Sequence, residues 1–321
     1  MVLVTGATGF IGKNLVPDLT RDRKIRILVR RTSDLSFYRD RSEIELAFGS
    51  LEGNEGLDRA LIGVKTVIHA AGQTMGRNRE DFYRTNVQGT RNLTDAMRKI
   101  GSIRMIFLSS HAACGASPFN RLISETTRPA PISDYGCSKL QAEGVVAQSG
   151  ISHIILRPPS VYGPYDMEIL KYVRLIDRGI CPMIGIRESY LSLIYVRDLV
   201  GIIRKVMADD RFDNRIYFAS DGRAYAFSEI VAAIARQLNR RRLWRIPIPV
   251  RIGLLYGVLN DALIPVRKRI ISRDKVRELA RQYWLCSNER MIREIGYIPV
   301  FDLDQGMTET VGWYREHGLI K

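Results

Sequence analysis

Three glycines, Gly6, Gly9 and Gly12, punctuate the passage from the apolar run Val2-Leu3-Val4 into the stretch that begins at Phe10-Ile11. Glycine tolerates the tight turn, lets the backbone approach a pyrophosphate closely and lets the following helix pack against the strand. The N-terminus of that helix offers unpaired N–H donors and a partial positive charge suited to phosphate. Glycine-rich turns also arise for steric reasons alone, so the motif gains its weight from context: it joins a strand to a helix at the start of a βαβ unit. The run Gly6, Thr8, Gly9, Phe10, Ile11, Gly12 is therefore read as the phosphate-binding turn of a dinucleotide site.

The first half of the chain continues the alternation. Strands are expected at Val2–Thr5, Ile25–Val29, Ile44–Phe48, Val67–Ala70, Met105–Ser109 and His153–Arg157, none with the strict alternation of a sheet open on one face. Helices are expected around Ile11–Leu19, Gly56–Ile62, Glu80–Ile100 and Asp134–Gln148, the last capped by Ser133. This rhythm predicts an α/β fold, a Rossmann-type doubly wound parallel sheet with a smaller C-terminal substrate lobe. Residues 1–160 form the dinucleotide-binding domain in this reading. The chain rejoins that domain over about 193–222, where Asn214–Ser220 reads as one more strand. Residues 161–192 and 223–321 make the lobe, with a helix at Phe227–Leu238 capped by Ser228.

The chain carries 49 Lys and Arg against 34 Asp and Glu, a net charge of +15. Phosphate-bearing ligands, an anionic membrane surface and plain solubility all suit that excess. Nucleic acid does not, because the charge is spread along the chain without a zinc-finger, RNA-binding or basic-zipper pattern. The four cysteines, Cys114, Cys137, Cys181 and Cys286, form no paired or His-flanked motif and read as reduced thiols of a cytoplasmic protein. No metal site is expected. Val2-Leu3-Val4 follows Met1 without a charged leader, so a secretory signal is not expected, and the apolar stretch Ile246–Val266 is too interrupted to be a transmembrane segment.

The end of the second strand bears on the cofactor. An enzyme selecting NAD usually places a carboxylate there for the ribose hydroxyls, whereas here Ile27-Leu28-Val29 ends in Arg30-Arg31. Arginine presents a planar fork to a phosphate, so NADP is favoured, with NAD possible and plain surface charge as the bland alternative.

Tyr135-Gly136-Cys137-Ser138-Lys139 places a phenol and an ammonium on one helical face. Free tyrosine titrates near 10. A neighbouring Lys⁺ and the positive ring of an oxidised nicotinamide are expected to lower that value and let Tyr135 exchange a proton with a substrate oxygen. Such a pair is common by chance. It gains weight from Ser109-Ser110 at a strand's C-terminal end, where open α/β sheets bind ligands and a hydroxyl can hold the reacting oxygen.

With these residues in view, the chain resembles the extended short-chain dehydrogenase/reductases, the NAD-dependent epimerase/dehydratase family, over nearly its whole length. The resemblance is carried by TGATGFIG at 5–12, HAAG at 69–72, NVQGT at 86–90, SSHAACG at 109–115, YGCSK at 135–139, RPPSVYGP at 157–164 and YVRDL at 195–199. It implies Ser110, Tyr135 and Lys139 as the catalytic set with Asn86 near them, Ala70, Ala71 and Gly72 on the cofactor, and Pro158, Ser160 and Val161 beside the nicotinamide. It also implies a homodimer through the Glu80–Ile100 and Asp134–Gln148 helices. Two departures matter. The aspartate that commonly holds the adenine is replaced by Gly49-Ser50-Leu51, leaving Ser50 and Leu51 to make a weaker neutral contact. His111-Ala112 stands where nucleotide-sugar dehydratases carry Asp-Glu, which argues against water elimination. His111 itself is read as a packed or exposed loop residue, since Tyr135 and Lys139 already supply a proton path.

Between Arg240 and Arg269 an apolar stretch including Trp244, Ile246, Ile252, Leu255, Tyr256 and Leu259 is flanked by Arg240-Arg241-Arg242 and Arg267-Lys268-Arg269. It reads as a pocket wall, as a surface in peripheral contact with anionic membrane, or as an ordinary core helix. An apolar ketone or alcohol is the expected small-molecule substrate, as in the hydroxysteroid dehydrogenase and dihydroflavonol reductase branch. The alternatives are a nucleotide-sugar epimerase that retains its NAD(P) and a non-catalytic NADP-sensing protein.

Overall fold

The structure, a computed structural model, describes residues 1–119, 121–264, 269 and 271–320. Seven strands form the central sheet: β1 (Val2–Thr5), β2 (Ile25–Val29), β3 (Ile44–Phe48), β4 (Thr66–His69), β5 (Arg104–Leu108), β6 (His153–Arg157) and, after the short β7 (Ser160–Tyr162), β8 (Ile180–Ile184), β9 (Tyr190–Leu191) and β10 (Leu193–Tyr195), the edge strand β11 (Arg215–Phe218). Their order is β3-β2-β1-β4-β5-β6-β11, and every pairing is parallel. The chain winds outward from β1 to β3 and then returns to β4 on the other side of β1. The crevice beyond the C-terminal ends of β1 and β4 is therefore the topological switch point, the place where doubly wound sheets hold ligands.

Alternate side chains on each strand enter different cores, as the period of two requires. Val2 and Val4 join Leu15, Val16 and Leu19 of α1 (Phe10–Leu19), whereas Leu3 faces the cluster on the opposite side. That second cluster takes Leu57 and Ala60 from α2 (Leu57–Ala60) and Leu93 and Met97 from the long helix after β4. This helix runs as α3 (Arg79–Phe82), a π-helical turn over Tyr83–Gln88 and α4 (Gly89–Ile100). Ala142 and Val146 of α5 (Asp134–Gln148) complete the face. Fully burying each such aliphatic side chain contributes about 1.5–3 kcal/mol, so both helical layers are held on largely by these contacts.

The second lobe has its own core. Helices α6 (Met167–Asp177), α8 (Phe227–Gln237) and α12 (Leu303–Glu316) bring Leu170, Val173, Val231, Ile234, Met307 and Val311 together, while α7 (Val196–Met207) packs back on the sheet beside α1. The remaining elements are β12 (Tyr225–Ala226), β13 (Trp244–Ile248), α9 (Val250–Leu263), α10 (Arg273–Leu279), β14 (Tyr283–Trp284) and α11 (Glu289–Ile295). Among the described residues no helix is long and apolar enough to cross a membrane.

Three expectations change. Ser228 is not the cap of α8: Ala226 occupies that position without a capping side chain. Glu229 accepts the Ala226 N–H at 2.7 Å and Glu188 accepts the Ser228 N–H at 3.1 Å, so carboxylates from inside and outside the helix satisfy its first donors. The described part of the stretch 240–269 is no core helix, since most large side chains of β13 and α9 lie open. Arg269 is not a surface flank either; it is buried, donating to the carbonyls of Gly76, Asp261 and Ile264. Arg267 and Lys268 lie outside the described residues.

Candidate active site

At the end of β1 the chain turns through Gly6, whose φ of 74° favours glycine. A Cβ there would meet the carbonyl carbon of Ala70 and the nitrogen of Ala71, each at 2.6 Å, so the turn lies directly on the Ala70-Ala71-Gly72 segment that follows β4. One at Gly12 would stand 2.4 Å from the Gly6 oxygen, so both ends of the loop are closed against themselves. Gly9 caps α1 with no side chain, and the first helical bond back to it comes from the Lys13 N–H at 2.9 Å. The N–H groups of Phe10 and Ile11 find no acceptor among the described residues, and Thr8, Phe10 and Ile11 are half-buried around them. Such free donors at a helix N-terminus are what a pyrophosphate requires.

Arg30 and Arg31 are exposed at the C-terminal end of β2, with the Arg31 guanidinium 5.8 Å from the ring centroid of Phe48. Asp34, the next carboxylate along the chain, is exposed and accepts the Ser36 N–H at 2.9 Å, a bond that holds its carboxyl below the ordinary range. Ser50 and Leu51 are fixed by their backbones, through the Glu55 carbonyl at 2.9 Å and the Asn92 amide at 2.6 Å respectively. Pro158 accepts the His111 N–H at 2.8 Å, and Ser160 and Val161 lie in β7 paired with Leu193 and Ile194 of β10. The uncapped helix end and the closed glycine turn fit the pyrophosphate of a pyridine dinucleotide.

The chemical end is built on α5. Ser133 caps it as expected, accepting the Gly136 N–H at 3.0 Å, and also donates to Glu278 at 2.7 Å. The carboxylate of Asp274 on α10 accepts the N–H groups of Asp134 at 2.8 Å and Tyr135 at 3.1 Å. Two acidic side chains from α10 thus close the helix terminus on which Tyr135 stands. No local pattern announces them, because they lie some 140 residues further along the chain.

Lys139 follows one turn after Tyr135. Its ammonium donates to the Leu108 carbonyl at 2.7 Å, sits 4.3 Å from the centroid of Phe107 and borders Gly72, where an added Cβ would come within 3.7 Å. Burial draws Lys139 down to about 8, against a smaller opposing pull from Glu143. Tyr135 moves the other way: burial pushes its phenol up to about 12, while contact with the Ser110 hydroxyl pulls it down. The expected lowering by Lys139 is therefore not produced by the protein groups. The ammonium is spent on Leu108 and Phe107, and desolvation of the phenolate wins.

The two serines after β5 have different surroundings. Ser110 is half-buried beside Tyr135, its Oγ accepting the Ala112 N–H at 3.1 Å. Ser109 turns down to Glu143, whose carboxylate also takes Arg157 at 2.9 and 2.6 Å in a fully buried ion pair under the site. His111 is buried edge-on between Phe218 and Trp284, with centroids 5.5 and 5.4 Å away, and desolvation pulls it down to about 3. It is a neutral packed ring.

Asn86 lies in the π-helical turn, a distortion that often marks functional positions. Its amide is wholly engaged by protein: Oδ1 accepts the Gln73 N–H at 2.7 Å, and Nδ2 donates to the Gln73 carbonyl at 3.0 Å and to Ser138 at 2.8 Å. Ser138 in turn donates to the Tyr135 carbonyl at 2.7 Å, which makes Asn86 a positioning residue. Behind it runs a buried chain. Thr90 donates to the Asn86 carbonyl at 2.6 Å, so it accepts from His69 Nε2–H at 3.0 Å, and His69 Nδ1 accepts from Thr5 at 2.7 Å. Thr5 also accepts the Ala71 N–H at 3.2 Å. Burial holds His69 near 3, fixing it as the neutral Nε2–H form. Its members lie in three of the motifs, TGATGFIG, HAAG and NVQGT, but no spacing announces that they bond to one another.

Residues 2–218 match the NAD dependent epimerase/dehydratase family. Over the full length the chain is 34% identical to ceramide reductase of Caulobacter vibrioides, covering 100% of this chain and 96% of that protein. It is 28% identical to N-acetyl-alpha-D-glucosaminyl-diphospho-ditrans,octacis-undecaprenol 4-epimerase of Escherichia coli O157:H7, covering 98% and 96%. The fold is similar to that of dTDP-glucose 4,6-dehydratase from Bacillus anthracis, solved in complex with NAD, with a TM-score of 0.80, 22% identity and coverage of 99% and 97%. A glycine turn at the switch point, a Ser-Tyr-Lys set at the neighbouring strand ends and this breadth of similarity have one reading: the chain belongs to the NAD-dependent epimerase/dehydratase family of extended short-chain dehydrogenase/reductase enzymes.

Proposed function

We propose that this enzyme is an NADP(H)-dependent oxidoreductase that interconverts a ketone and a secondary alcohol on a long-chain, apolar substrate. The observation that supports the reading is the grouping of Ser110, Tyr135 and Lys139 beside the Ala70-Ala71-Gly72 segment on which the glycine turn lies, with the Lys139 ammonium bordering Gly72. The Tyr135 phenol is protonated at neutral pH, the form that can give a proton to a carbonyl oxygen. The Gly6–Gly12 turn and the N-terminus of α1 would hold the reduced nicotinamide cofactor, which would supply the hydride for the carbonyl carbon. Tyr135 gives its proton to the carbonyl oxygen and recovers one from solvent. Ser110, beside it, donates a hydrogen bond that orients the same oxygen. Lys139, anchored on Leu108, keeps a positive charge beneath the site, and Asn86 sets the Tyr135 turn of the helix through Ser138.

NADP is preferred in this proposal because Arg30 and Arg31 are open at the end of β2, where an enzyme selecting NAD usually carries a carboxylate. The substrate class draws on the two relatives matched in sequence: both carry in their names a molecule with a long hydrocarbon chain, and the one with higher identity is a reductase. The first candidate is the ketone obtained by oxidising the secondary hydroxyl of a ceramide. Purified enzyme, NADPH and that ketone in mixed micelles are expected to give loss of the reduced-nicotinamide absorbance in proportion to alcohol formed, faster than with NADH.

The full-length similarity to a 4-epimerase supports one second reading, inversion of a sugar carbon with the cofactor retained. Protein that purifies with bound cofactor, interconverts lipid-linked or nucleotide-linked sugars and consumes no added NADPH decides for that reading.

A further inference from the structure

Helix α9 shows water a stripe with no charge in it. Ile252, Leu255, Tyr256, Leu259 and Leu263 follow the spacing of one helical face; Trp244 and Ile246 on the preceding strand β13 and Ile186 just after its partner β8 are open too, and all eight are between 44% and 83% exposed. The patch adjoins cations. Arg187, Arg241, Arg242, Arg245 and Arg251 are exposed and make no ion pair among the described residues, unlike Arg240, which meets Asp177 at 3.2 Å. Large apolar patches rimmed by polar groups mark interaction surfaces.

We propose that this face rests on an anionic lipid bilayer, with the α9 stripe and Trp244 sunk into the headgroup boundary and the arginines on lipid phosphates. Charge complementarity selects the occupant. An uncharged stripe beside unpaired arginines matches a bilayer with acidic headgroups. A second copy docked through the same face would gather two sets of these unpaired arginines into one interface with no carboxylate in the stripe to offset them. At 14 residues α9 lies along the surface and does not span it.

The mounting of the helix ties the face to the site. The buried side of α9 is made of Gly253, Gly257 and Asn260. A Cβ on Gly257 would stand 2.7 Å from the Arg273 backbone, and Asn260 donates to the Ile271 carbonyl at 2.8 Å, so α9 packs closely on α10. From α10, Asp274 reaches the N–H of Tyr135. The bilayer-facing helix is thus one element away from the catalytic helix. The proposal goes beyond the reductase reading, and its test measures binding without turnover, so either can fail alone.

The test is co-sedimentation of the whole protein with vesicles of phosphatidylcholine, alone or mixed with phosphatidylglycerol. Binding to the mixed vesicles is expected, at least ~10-fold tighter than to phosphatidylcholine alone and weakened by salt. The Trp244 emission is expected to move to the blue on binding, a change lost in Trp244→Phe. The double variant Leu255→Glu, Leu259→Glu, both exposed positions, is expected to bind at least ~10-fold more weakly with an unchanged circular dichroism spectrum. The triple variant Arg241→Ala, Arg242→Ala, Arg245→Ala is expected to lose the preference for phosphatidylglycerol. The proposal is overturned by absent binding to mixed vesicles at low salt or by full binding in the double variant. It is equally overturned by a solution dimer that the double variant dissociates, which would assign the stripe to a second copy.

Discussion

Lys139→Met is expected to make the protein more stable and less active at the same time. Burial moves Lys139 from its ordinary 10.5 to about 8, so keeping the ammonium charged inside the fold costs roughly 3 kcal/mol. Methionine has a similar length and no charge. Its insertion removes that cost and deprives the Leu108 carbonyl of a donor, a loss of about 1 kcal/mol, which leaves a gain of roughly 2 kcal/mol at neutral pH. The sign with pH follows from the lowered value. Below about 8 the lysine is charged in the folded and unfolded states alike, and the whole penalty is present. As the pH rises from 8 towards 10.5 the folded protein gives up the proton first and the penalty fades. Urea denaturation of both proteins from neutral pH upward checks this: the variant's advantage should be largest near pH 7 and shrink steadily above 8. A variant less stable than wild type at neutral pH, or a gap that ignores pH, refutes the reasoning.

Tyr135→Phe removes one oxygen and little packing; turnover should fall by a factor of about 10²–10⁴ while cofactor affinity, read by fluorescence titration, stays near the wild-type value. Arg30→Asp should weaken NADPH binding by roughly 10-fold or more, at about 1.5–3 kcal/mol per charge-assisted contact, and leave NADH binding much less affected. Equal affinities of the wild type for the two cofactors would reduce Arg30 and Arg31 to surface charge. Glu143→Ala strands the Arg157 guanidinium in the interior and should cost about 3–5 kcal/mol by urea denaturation. A loss below about 1 kcal/mol would mean that Arg157 finds other partners.

What could be read from the sequence was whatever is local. The ends of β1, β2, β3, β6 and α5 coincide with the expected ones because apolar runs, the Ser133 cap and the glycine turn act within a few residues. The other sheet strands shifted by a residue or more at their ends, and the expected Gly56–Ile62 helix shrank to Leu57–Ala60, because Gly56 at φ 73° starts it late. The Ser110, Tyr135 and Lys139 positions were legible through motif order, but their electrostatics were not. Whether Lys139 faces Tyr135 or Leu108 is decided by the packing of β5 against α5, which no spacing encodes. The closure by Asp274 and Glu278 and the chain from Thr5 through His69 to Asn86 escape for the same reason, since each joins side chains far apart in sequence. The open face of α9 is the reverse case: an apolar pattern that resembles a core helix until its neighbours are known to cover only Gly253, Gly257 and Asn260.

The hold of Asp274 and Glu278 on the start of α5 also orders events during biosynthesis. A nascent chain that has passed β6 possesses six of the seven strands of the sheet, the glycine turn and the Ser-Tyr-Lys set, and domains begin to fold as they emerge. The backbone donors of Asp134 and Tyr135 nevertheless wait for acceptors made some 140 residues later, and β11 closes the edge of the sheet only after the first part of the second lobe has been made. The glycine turn is thus encoded within the first dozen residues, whereas the carboxylates that hold the start of α5 are made only with Asp274 and Glu278.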